Sequence, residues 1–278
     1  MKLLFDKLSN KCSQYTTNLY STSFSFGIKA LDKEIHEPIY NIYGFVRLAD
    51  EIVDSFHDYN KQELFYDFKS QTIKSIKDKI SLNPILNSFQ KTVHEFNIEK
   101  ELIETFFNSM EMDLNKQIYD EEKYKLYVLG SAEVVGLMCL RVFVTGNDDM
   151  YNLLKPYAMR LGAAFQKVNF LRDANSDFKT LGRTYFPGVD MTNFDKYQKQ
   201  KIENEIEDDF KEALTGIKML PALSKGGVYL AYRYYYILFA KIKSLSSSRI
   251  LEERIRVSNI NKLFIMIVSM CKHKLKLI

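Results

Sequence analysis

The chain has 278 residues, 46% hydrophobic and 27% charged, enough apolar material for a large core and the balance of an ordinary soluble globular protein. Its formal net charge of +4 is too small to indicate nucleic-acid binding, although it suits an anionic substrate or an anionic membrane surface. Three widely spaced cysteines and the lack of a signal-peptide pattern favour a reducing cytoplasm, without disulfides or a zinc site. No linker-like stretch is present, so a single domain over residues 1–278 is expected.

Helical periodicity runs through nearly the whole chain, and no segment shows the alternation and turn residues of a β-hairpin. Gly146, Asn147 and Asp148 predict a break followed by a helix cap, and Pro156 predicts that the next helix bends or begins there. The sequence therefore predicts an all-α fold. The predicted helices cover residues 1–20, 39–56, 61–80, 84–96, 98–115, 121–144, 151–177, 193–219, 222–243 and 250–276.

A hydroxyl-rich segment follows the first predicted helix: Ser21, Thr22, Ser23 and Ser25 stand among aromatic residues. Such a cluster either caps a helix or donates hydrogen bonds to phosphate oxygens. Capping is the commoner role, and both interpretations stay open at this point.

Two predicted helices each carry a pair of aspartates four residues apart, with an arginine nearby. Residues 50–54 read D-E-I-V-D after Arg47, and residues 173–177 read D-A-N-S-D after Arg172. At ~1.5 Å of rise per residue, each pair lies on one helix face, about 6 Å apart along the axis. At that separation and an effective dielectric of ~20, two carboxylates repel by roughly 3 kcal/mol. Such a pair therefore needs protonation, a basic partner or a bound cation.

The second of these helices also places Gln166 and Asn169 on the face of its two aspartates. Carboxylate and amide oxygens suit Mg²⁺, which bridges to substrate phosphates, and arginine forks bind diphosphate. A lone D-x-x-x-D is usually a solvated helix face, but two copies, each beside an arginine in an apolar helix, favour a magnesium–diphosphate site. The chain has no dinucleotide-binding glycine motif, Walker loop, H-E-x-x-H or G-x-S-x-G.

Four segments together resemble the phytoene synthase and squalene synthase family, the head-to-head prenyl-diphosphate condensing enzymes. Residues 21–25 are similar to the family's S-x-S-F-S, and 43–54 to its Y-x-F-x-R-x-x-D-[DE]-x-x-D. Residues 166–177 are similar to Q-x-x-N-x-x-R-D-x-x-x-D, and 183–187 to R-x-Y-x-P. The resemblance covers residues 20–238 and is strongest to bacterial phytoene synthases. It implies a helical bundle of the isoprenoid synthase type around a central apolar cavity.

The resemblance also implies roles for individual residues. The implied metal ligands are Asp50, Asp54, Asn169, Asp173 and Asp177, which would hold Mg²⁺ or Mn²⁺, and the four aspartates count as catalytic. Tyr127 and Tyr185 are implied to lie beside the reacting carbons. The implied substrate-binding residues are Ser21, Ser23, Arg47, Gln166, Asn169, Arg172, Arg183 and Tyr234.

The implied activity is that of a magnesium-dependent prenyltransferase in carotenoid biosynthesis. Two geranylgeranyl diphosphates would condense through a cyclopropyl diphosphate to phytoene. One alternative uses farnesyl diphosphate to make squalene or dehydrosqualene, with NADPH needed only for squalene. Another is an inactive family member that serves as an assembly protein.

The expected partners are prenyl diphosphates, with no nucleic acid, and monomer and homodimer both stay open. Apolar runs such as 263–268 fall short of the ~20 residues that span a membrane. The expected location is cytoplasmic, and the basic, apolar tail at 262–278 is either a core helix or a peripheral membrane contact.

Two positions depart from the family pattern. Glu133 stands where the family segment matching residues 127–136 has glycine, and Tyr20 stands where some relatives have histidine. Both leave the shape of the pocket, and hence the length of the prenyl chain, open.

Overall fold

A computed structural model of the chain describes residues 1–115, 119–179, 184–189, 191–252 and 254–275. Within these ranges the secondary structure is helical and contains no strand, which confirms the all-α prediction. The helices are α1 (Lys2–Tyr20), α2 (Thr22–Lys29), α3 (His36–Asp54), α4 (Lys61–Asp78), α5 (Pro84–Glu95), α6 (Lys100–Met112), α7 (Glu121–Val128), α8 (Val134–Phe143), α9 (Asp148–Lys179), α10 (Lys196–Met219), α11 (Ala222–Lys243), α12 (Ser247–Ile250) and α13 (Asn259–Lys274).

Local capping chemistry sets where several helices begin. The Asn147 side chain accepts a hydrogen bond from the Met150 backbone N–H at 2.9 Å, so α9 starts at Asp148, as the break in the sequence predicts. The helix then continues through Pro156 and does not begin there. Asp195 forms a capping box that starts α10 at Lys196, three residues later than the periodicity predicts.

The predicted helix over 121–144 is interrupted, and this expectation was wrong. A π-helical turn, Leu129–Glu133, separates α7 from α8. At Gly130 in this turn, a Cβ atom would lie 2.5 Å from the Thr105 backbone oxygen of α6, so only glycine allows the two helices to approach so closely. Apolar periodicity continues on both sides of a π turn, so the sequence pattern did not indicate the interruption.

The predicted helix over 250–276 was also wrong, because the short α12 ends at Ile250 and the next helix, α13, begins only at Asn259. Residues 254–258 between them are irregular. The Ser258 hydroxyl accepts a hydrogen bond from the Asn261 backbone N–H at 3.3 Å and so caps the start of α13.

The helix α9 packs against α8, α10 and α11, while α1 packs against α3 and α5. Phe45 of α3 anchors the first aspartate helix in the core. Its ring stacks on Phe89 of α5 with the ring centres 3.8 Å apart and also contacts Phe106 and Phe107 of α6. This anchor directs Tyr43 and Val46 on another face of α3 towards a central cavity.

The run Glu121–Phe143 is long and apolar enough to cross a membrane by length and composition alone, contrary to the expectation that apolar runs are too short. Half of its most apolar window is buried inside the fold. Ser131, Val135 and Cys139 in this run line the central cavity, so the apolar character serves the interior of the fold.

Candidate active site

A cavity of about 290 Å³ lies between α3 and α9, and α2, α8, α10 and α11 complete its wall. Apart from a few polar side chains, the lining is aliphatic, aromatic or glycine. The lining residues are Phe24, Gly27, Ile28, Leu31, Ile39, Ile42, Tyr43, Val46, Ser131, Ala132, Val135, Gly136, Cys139, Leu140, Phe143, Leu154, Tyr157, Ala158, Leu161, Gly162, Phe165, Gln166, Asn169, Ala213, Gly216, Ile217, Leu220, Gly227, Val228, Ala231 and Tyr235.

The helix α9 supplies a continuous stripe of this lining. Its lining residues recur every three or four positions, so they share one face of the helix. The stripe begins at Leu154 with apolar side chains and ends with Gln166 and Asn169. The cavity therefore has an apolar end and an amide-bearing end, and Arg172 and Asp173 follow about one turn beyond Asn169 on the same helix. We call this end the mouth of the cavity.

The family departure at Glu133 does not reach the cavity. Ser131 and Ala132 of the π turn line it, whereas Glu133 is absent from the lining. The close approach in this region depends on Gly162 of α9, where a Cβ atom would lie 2.7 Å from the Ala132 backbone oxygen. The glycine expected at 133 is thus not required for this contact.

The first aspartate helix, α3, carries a tight arginine–carboxylate group one turn beyond the lining residues Tyr43 and Val46. Arg47 Nη1 donates to Asp50 Oδ2 at 2.5 Å, and its second terminal nitrogen donates to Glu51. The guanidinium carbon lies 4.5 Å from the ring centre of Tyr20, a cation–π contact at the second departure from the family. The Arg47 Nε atom is buried and has no hydrogen-bond partner among the described residues. An anionic oxygen would satisfy it.

Asp50 lies in an excess of negative charge. Burial and then the charge of Asp54 raise the pKa of Asp50 to about 7, because Arg47 offsets only part of their effect. Asp113, the buried residue that ends α6, adds to the same repulsion. The group therefore favours an additional cation, as the spacing of the aspartates predicts.

The second aspartate helix, α9, is neutralised from two sides. Arg172 Nη2 lies 2.5 Å from Asp173 Oδ2, and Arg254 Nε lies 2.8 Å from Asp173 Oδ1. Although burial disfavours the charge on Arg172, its hydrogen bond to Asp173 raises the pKa of the guanidinium. Asn169 Oδ1 accepts a hydrogen bond from the Tyr235 hydroxyl at 3.3 Å, and Asn169 Nδ2 donates to Gln166 at 3.4 Å.

A buried aromatic cluster lies beside Asp113, and its residues Tyr127, Phe170 and Tyr185 are not part of the cavity lining. The rings of Phe170 and Tyr185 stack with centres 4.2 Å apart, and Tyr127 lies 5.3 Å from Tyr185. The Tyr127 hydroxyl donates to Asp113 Oδ2 at 2.6 Å. Burial, and then the charge of Asp113, hold the pKa of Tyr127 well above its ordinary value. Ring faces of this kind stabilise positive charge.

The structure places the remaining predicted residues as follows. The Ser21 hydroxyl accepts a hydrogen bond from the Phe24 backbone N–H at 3.2 Å and caps α2, in agreement with the capping interpretation, and Ser23 is partly buried on α2. Tyr234 lies beside Tyr235, with ring centres 5.6 Å apart. Asp177 is partly buried near the end of α9. Arg183 lies outside the described residues.

The sequence predicts that four carboxylates come together, and the structure does not bring them together. Within the described ranges, no three His, Cys, Asp or Glu side chains form a group that could hold a metal ion. The physical reason is that Arg47 engages Asp50 while Arg172 and Arg254 engage Asp173. The donor set nevertheless fits Mg²⁺, because it consists of carboxylate and amide oxygens with a surplus of negative charge at Asp50.

Three residues at the site were missed by sequence reasoning. Tyr235, and not its predicted neighbour Tyr234, lines the cavity. Arg254 comes from the irregular segment before α13, beyond every motif. Asp113 follows the apolar face of α6, and its only signal was a carboxylate at a buried helix end.

A family model described as "Squalene/phytoene synthase" matches residues 17–261. The chain belongs to the squalene/phytoene synthase family. The match extends past the residues 20–238 of the sequence resemblance and includes Arg254.

Two curated members of this family show the level of similarity. The chain is 26% identical over 189 residues to the "4,4'-diapophytoene synthase" of Staphylococcus haemolyticus, a match that covers 67% of this chain and 65% of the relative. It is 25% identical over 213 residues to the "Phytoene synthase" of Arthrospira platensis, covering 73% of this chain and 68% of that protein. The matched stretch thus spans about two thirds of each relative's length.

The fold is that of solved family structures. A crystal structure of a dehydrosqualene synthase superimposes with a TM-score of 0.81 at 18% identity, covering 97% of this chain and 98% of that one. This confirms the predicted squalene synthase-type helical fold.

Proposed function

We propose that this family member joins two prenyl diphosphates head to head, and that its substrate is geranylgeranyl diphosphate and its product phytoene, a step of carotenoid biosynthesis. One observation carries the proposal. An apolar cavity ends at the amides Gln166 and Asn169 of α9, with Arg172 and Asp173 about one turn further along. On α3, which also lines the cavity, the buried Arg47 Nε has no partner among the described residues.

The arginines supply diphosphate recognition. The planar forks of Arg47, Arg172 and Arg254 match phosphate oxygens, and each already holds a carboxylate that a diphosphate could replace. Release of Asp50 and Asp173 from these pairs would leave both carboxylates without a cationic partner at the same moment.

Asp50, Asp54, Asp173 and Asp177, with the Asn169 side-chain oxygen, are the residues that would hold Mg²⁺ or Mn²⁺ at this point. Such an ion supplies Lewis acidity that stabilises a departing diphosphate.

The cavity and the aromatic cluster supply the rest of the chemistry. In the proposed reaction, the C–O bond of one prenyl diphosphate breaks, the diphosphate keeps the electron pair, and an allylic cation remains. The double bond of the second chain attacks it, and loss of a proton gives a cyclopropyl diphosphate. This intermediate ionises again, rearranges and loses a proton. Phe24, Tyr43 and Tyr235 of the lining would stabilise positive charge inside the cavity, and the apolar wall would exclude water that captures a cation. Tyr127, Phe170 and Tyr185, which stack on one another outside the lining, would do so where a substrate extends past it.

The length of the cavity wall supports a long substrate. The lining of α9 runs from Leu154 to Asn169, about 22 Å of helix at ~1.5 Å per residue. An extended geranylgeranyl chain matches this length better than a farnesyl chain. Farnesyl diphosphate, giving squalene with NADPH or dehydrosqualene without it, is the second candidate, because a relative named diapophytoene synthase is similar at the same level as one named phytoene synthase.

The test supplies each substrate separately to the purified chain, with and without Mg²⁺ and NADPH, and identifies the extracted lipid by mass spectrometry. We expect phytoene from geranylgeranyl diphosphate, only with the ion. Product from farnesyl diphosphate alone would overturn the phytoene assignment, and the absence of hydrocarbon from both would favour the inactive assembly protein. Asp173→Asn should abolish turnover, whereas Asp208→Asn, an exposed carboxylate on α10, should leave it unchanged.

A further inference from the structure

The first helix, α1, is built with its apolar side outward. Its buried residues are the small hydroxyl residues Ser9, Ser13 and Thr17. Five of its large apolar side chains are 53–84% exposed, and they are Leu3, Leu4, Leu8, Tyr15 and Leu19. At 3.6 residues per turn, all of these but Leu3 fall in one stripe on the side opposite the buried hydroxyls. An ordinary surface helix has the reverse arrangement.

The packing of α1 explains why small residues face inward. The Ser13 and Ser88 hydroxyls lie 2.7 Å apart, and Asn87 Nδ2 donates to Ser9 Oγ at 3.0 Å. At Gly44 of α3, a Cβ atom would lie 2.9 Å from Ser13 Cβ, so the two helices are in close contact. The attachment of α1 to the fold is therefore complete without its leucines, and folding does not account for them.

The charges around the stripe are of one sign. Lys7 and Lys11 lie along one edge of it by helical spacing. Asp6 points to the opposite, packed side, where Lys2 Nζ at 2.7 Å and Asn87 Nδ2 at 3.0 Å both bond to it. Glu37 of α3, bonded to Asn10, is likewise held beside the body of the protein. The outward face of α1 thus combines leucines with lysines.

A second helix with exposed apolar residues, α13, begins near the end of α1. The Lys262 ammonium near the start of α13 donates to the Thr22 hydroxyl at 3.2 Å, just after α1 ends. On α13, Phe264, Ile267 and Met270 are exposed. Between Asn259 and Lys274 this helix contains no Asp or Glu.

We propose that the outward face of α1, together with that of α13, docks on a membrane surface of anionic lipid headgroups. The leucines would enter the boundary with the acyl chains, while Lys7 and Lys11 would meet the headgroups. The end of α1 contacts the first aspartate helix, because the ring of Tyr20, the last residue of α1, lies against Arg47. Such docking would deliver an apolar hydrocarbon product into the bilayer. That purpose rests on the proposed function, whereas the docking itself does not.

Charge favours a membrane over a second copy of the chain. In a two-fold pairing of the stripe with itself, the symmetry axis would fall midway between Leu4 and Leu19, next to Lys11. The Lys11 side chains of the two copies would then face each other, and like charges oppose such an interface.

Co-sedimentation of the full chain with lipid vesicles tests the proposal. One set of vesicles is pure phosphatidylcholine, and the other contains phosphatidylglycerol as well. We expect stronger binding to the anionic vesicles and weaker binding as salt is added. Leu4→Gln/Leu8→Gln/Leu19→Gln should weaken binding at least about a hundredfold, since each leucine transferred from water contributes roughly tenfold or more. Lys7→Gln and Lys11→Gln should each weaken binding to anionic vesicles about fivefold and leave binding to neutral vesicles unchanged.

The matched control is Leu126→Gln/Leu153→Gln on α7 and α9, two leucines of similar exposure that should bind as the unchanged protein does. Thermal unfolding by circular dichroism checks that each variant is folded, and turnover in detergent micelles should be equal in all of them. Protein that binds vesicles without any turnover would support docking and contradict the proposed function. Failure to bind either vesicle, or full binding by the triple-leucine variant, would overturn the docking proposal. The proposal would also be overturned if the protein were a dimer in solution, if the leucine substitutions converted it to a monomer, and if it did not bind vesicles.

Discussion

Glu133 should make the stability of this protein fall as the pH rises from about 5 to 8. Burial raises the pKa of Glu133 to about 7 from an ordinary value of 4.5. Lys167 lowers it in part, and the charge of Asp209 raises it again. Lys167 is itself engaged by two carboxylates, with Asp209 Oδ2 at 2.7 Å and Glu205 as its second partner. It is therefore only partly available to stabilise an ionised Glu133.

The direction of this pH dependence follows from the number of protons that the native and unfolded states bind. Between pH 4.5 and about 7 the native Glu133 holds a proton that the unfolded chain has released. The stabilisation is therefore fully present below pH 4.5 and is lost as the pH rises through about 7. This rise in pKa corresponds to at most about 3.4 kcal/mol of unfolding free energy, at 1.36 kcal/mol per pKa unit. Since the side chain is only partly buried, we expect about 2 kcal/mol after solvent screening.

Urea unfolding of the native sequence and of Glu133→Gln at pH 5 and pH 8 measures this effect. Other groups titrate alike in both proteins, so the difference in unfolding free energy between them isolates Glu133. Glutamine should gain about 2 kcal/mol relative to glutamate between the two pH values. Glu122→Gln, an exposed carboxylate on α7, is the control and should show no such change. An equal difference at both pH values would mean that Glu133 is ionised throughout and would refute the reasoning.

Three further changes test the site. Arg254→Gln should raise the KM for prenyl diphosphate by roughly tenfold, the worth of one charge-assisted hydrogen bond, and leave the melting temperature unchanged because its ion pair with Asp173 is exposed. Tyr127→Phe should lower stability by about 1.5–3 kcal/mol in urea unfolding, since the buried Asp113 carboxylate loses a donor at 2.6 Å. Cys139→Phe should fill part of the cavity and lower kcat/KM for geranylgeranyl diphosphate more than for farnesyl diphosphate.

Each of these has a result that counts against it. An unchanged KM in Arg254→Gln, with Arg256→Gln as the control at an exposed arginine of the same irregular segment, would remove Arg254 from diphosphate binding. Unaltered stability in Tyr127→Phe would mean that the Asp113 contact contributes nothing. If Cys139→Phe lowered kcat/KM equally for both substrates, the cavity wall at Cys139 would not determine the preferred length of the prenyl chain.

Most of the fold could be predicted from the sequence because each helix carries its own periodicity and caps. The start of α9 after Asn147 is an example, since its cap is a local interaction. The π turn at Leu129–Glu133 could not be predicted, because it depends on the close approach of Thr105 on α6 to Gly130. Interruptions of this kind are set by tertiary contacts and leave the apolar pattern on either side intact.

The residues of the candidate site likewise fall into those that spacing predicts and those that it does not. Residues that act within one helix, such as Arg47 with Asp50, follow from spacing alone. Asp113 and Arg254 could not be found by spacing, because their partners, Tyr127 and Asp173, lie in other segments of the chain. Arg254 comes from an irregular segment that the periodicity had assigned to a single helix, so its approach to Asp173 was hidden by that error.

Helix α1 shows a further limit of patterns. Periodicity predicts that a helix has two unlike faces, but not which of them the fold covers. Hydrophobicity is the usual guide, because burial of leucine contributes more than burial of serine. It fails for α1, where the close contact between Ser13 and Gly44 admits only small side chains. When packing demands small residues on the inner face, large apolar residues on the outer face require a separate cause. An exposed leucine stripe with lysines along its edge is therefore better evidence for a surface contact than the same leucines on a loosely packed helix.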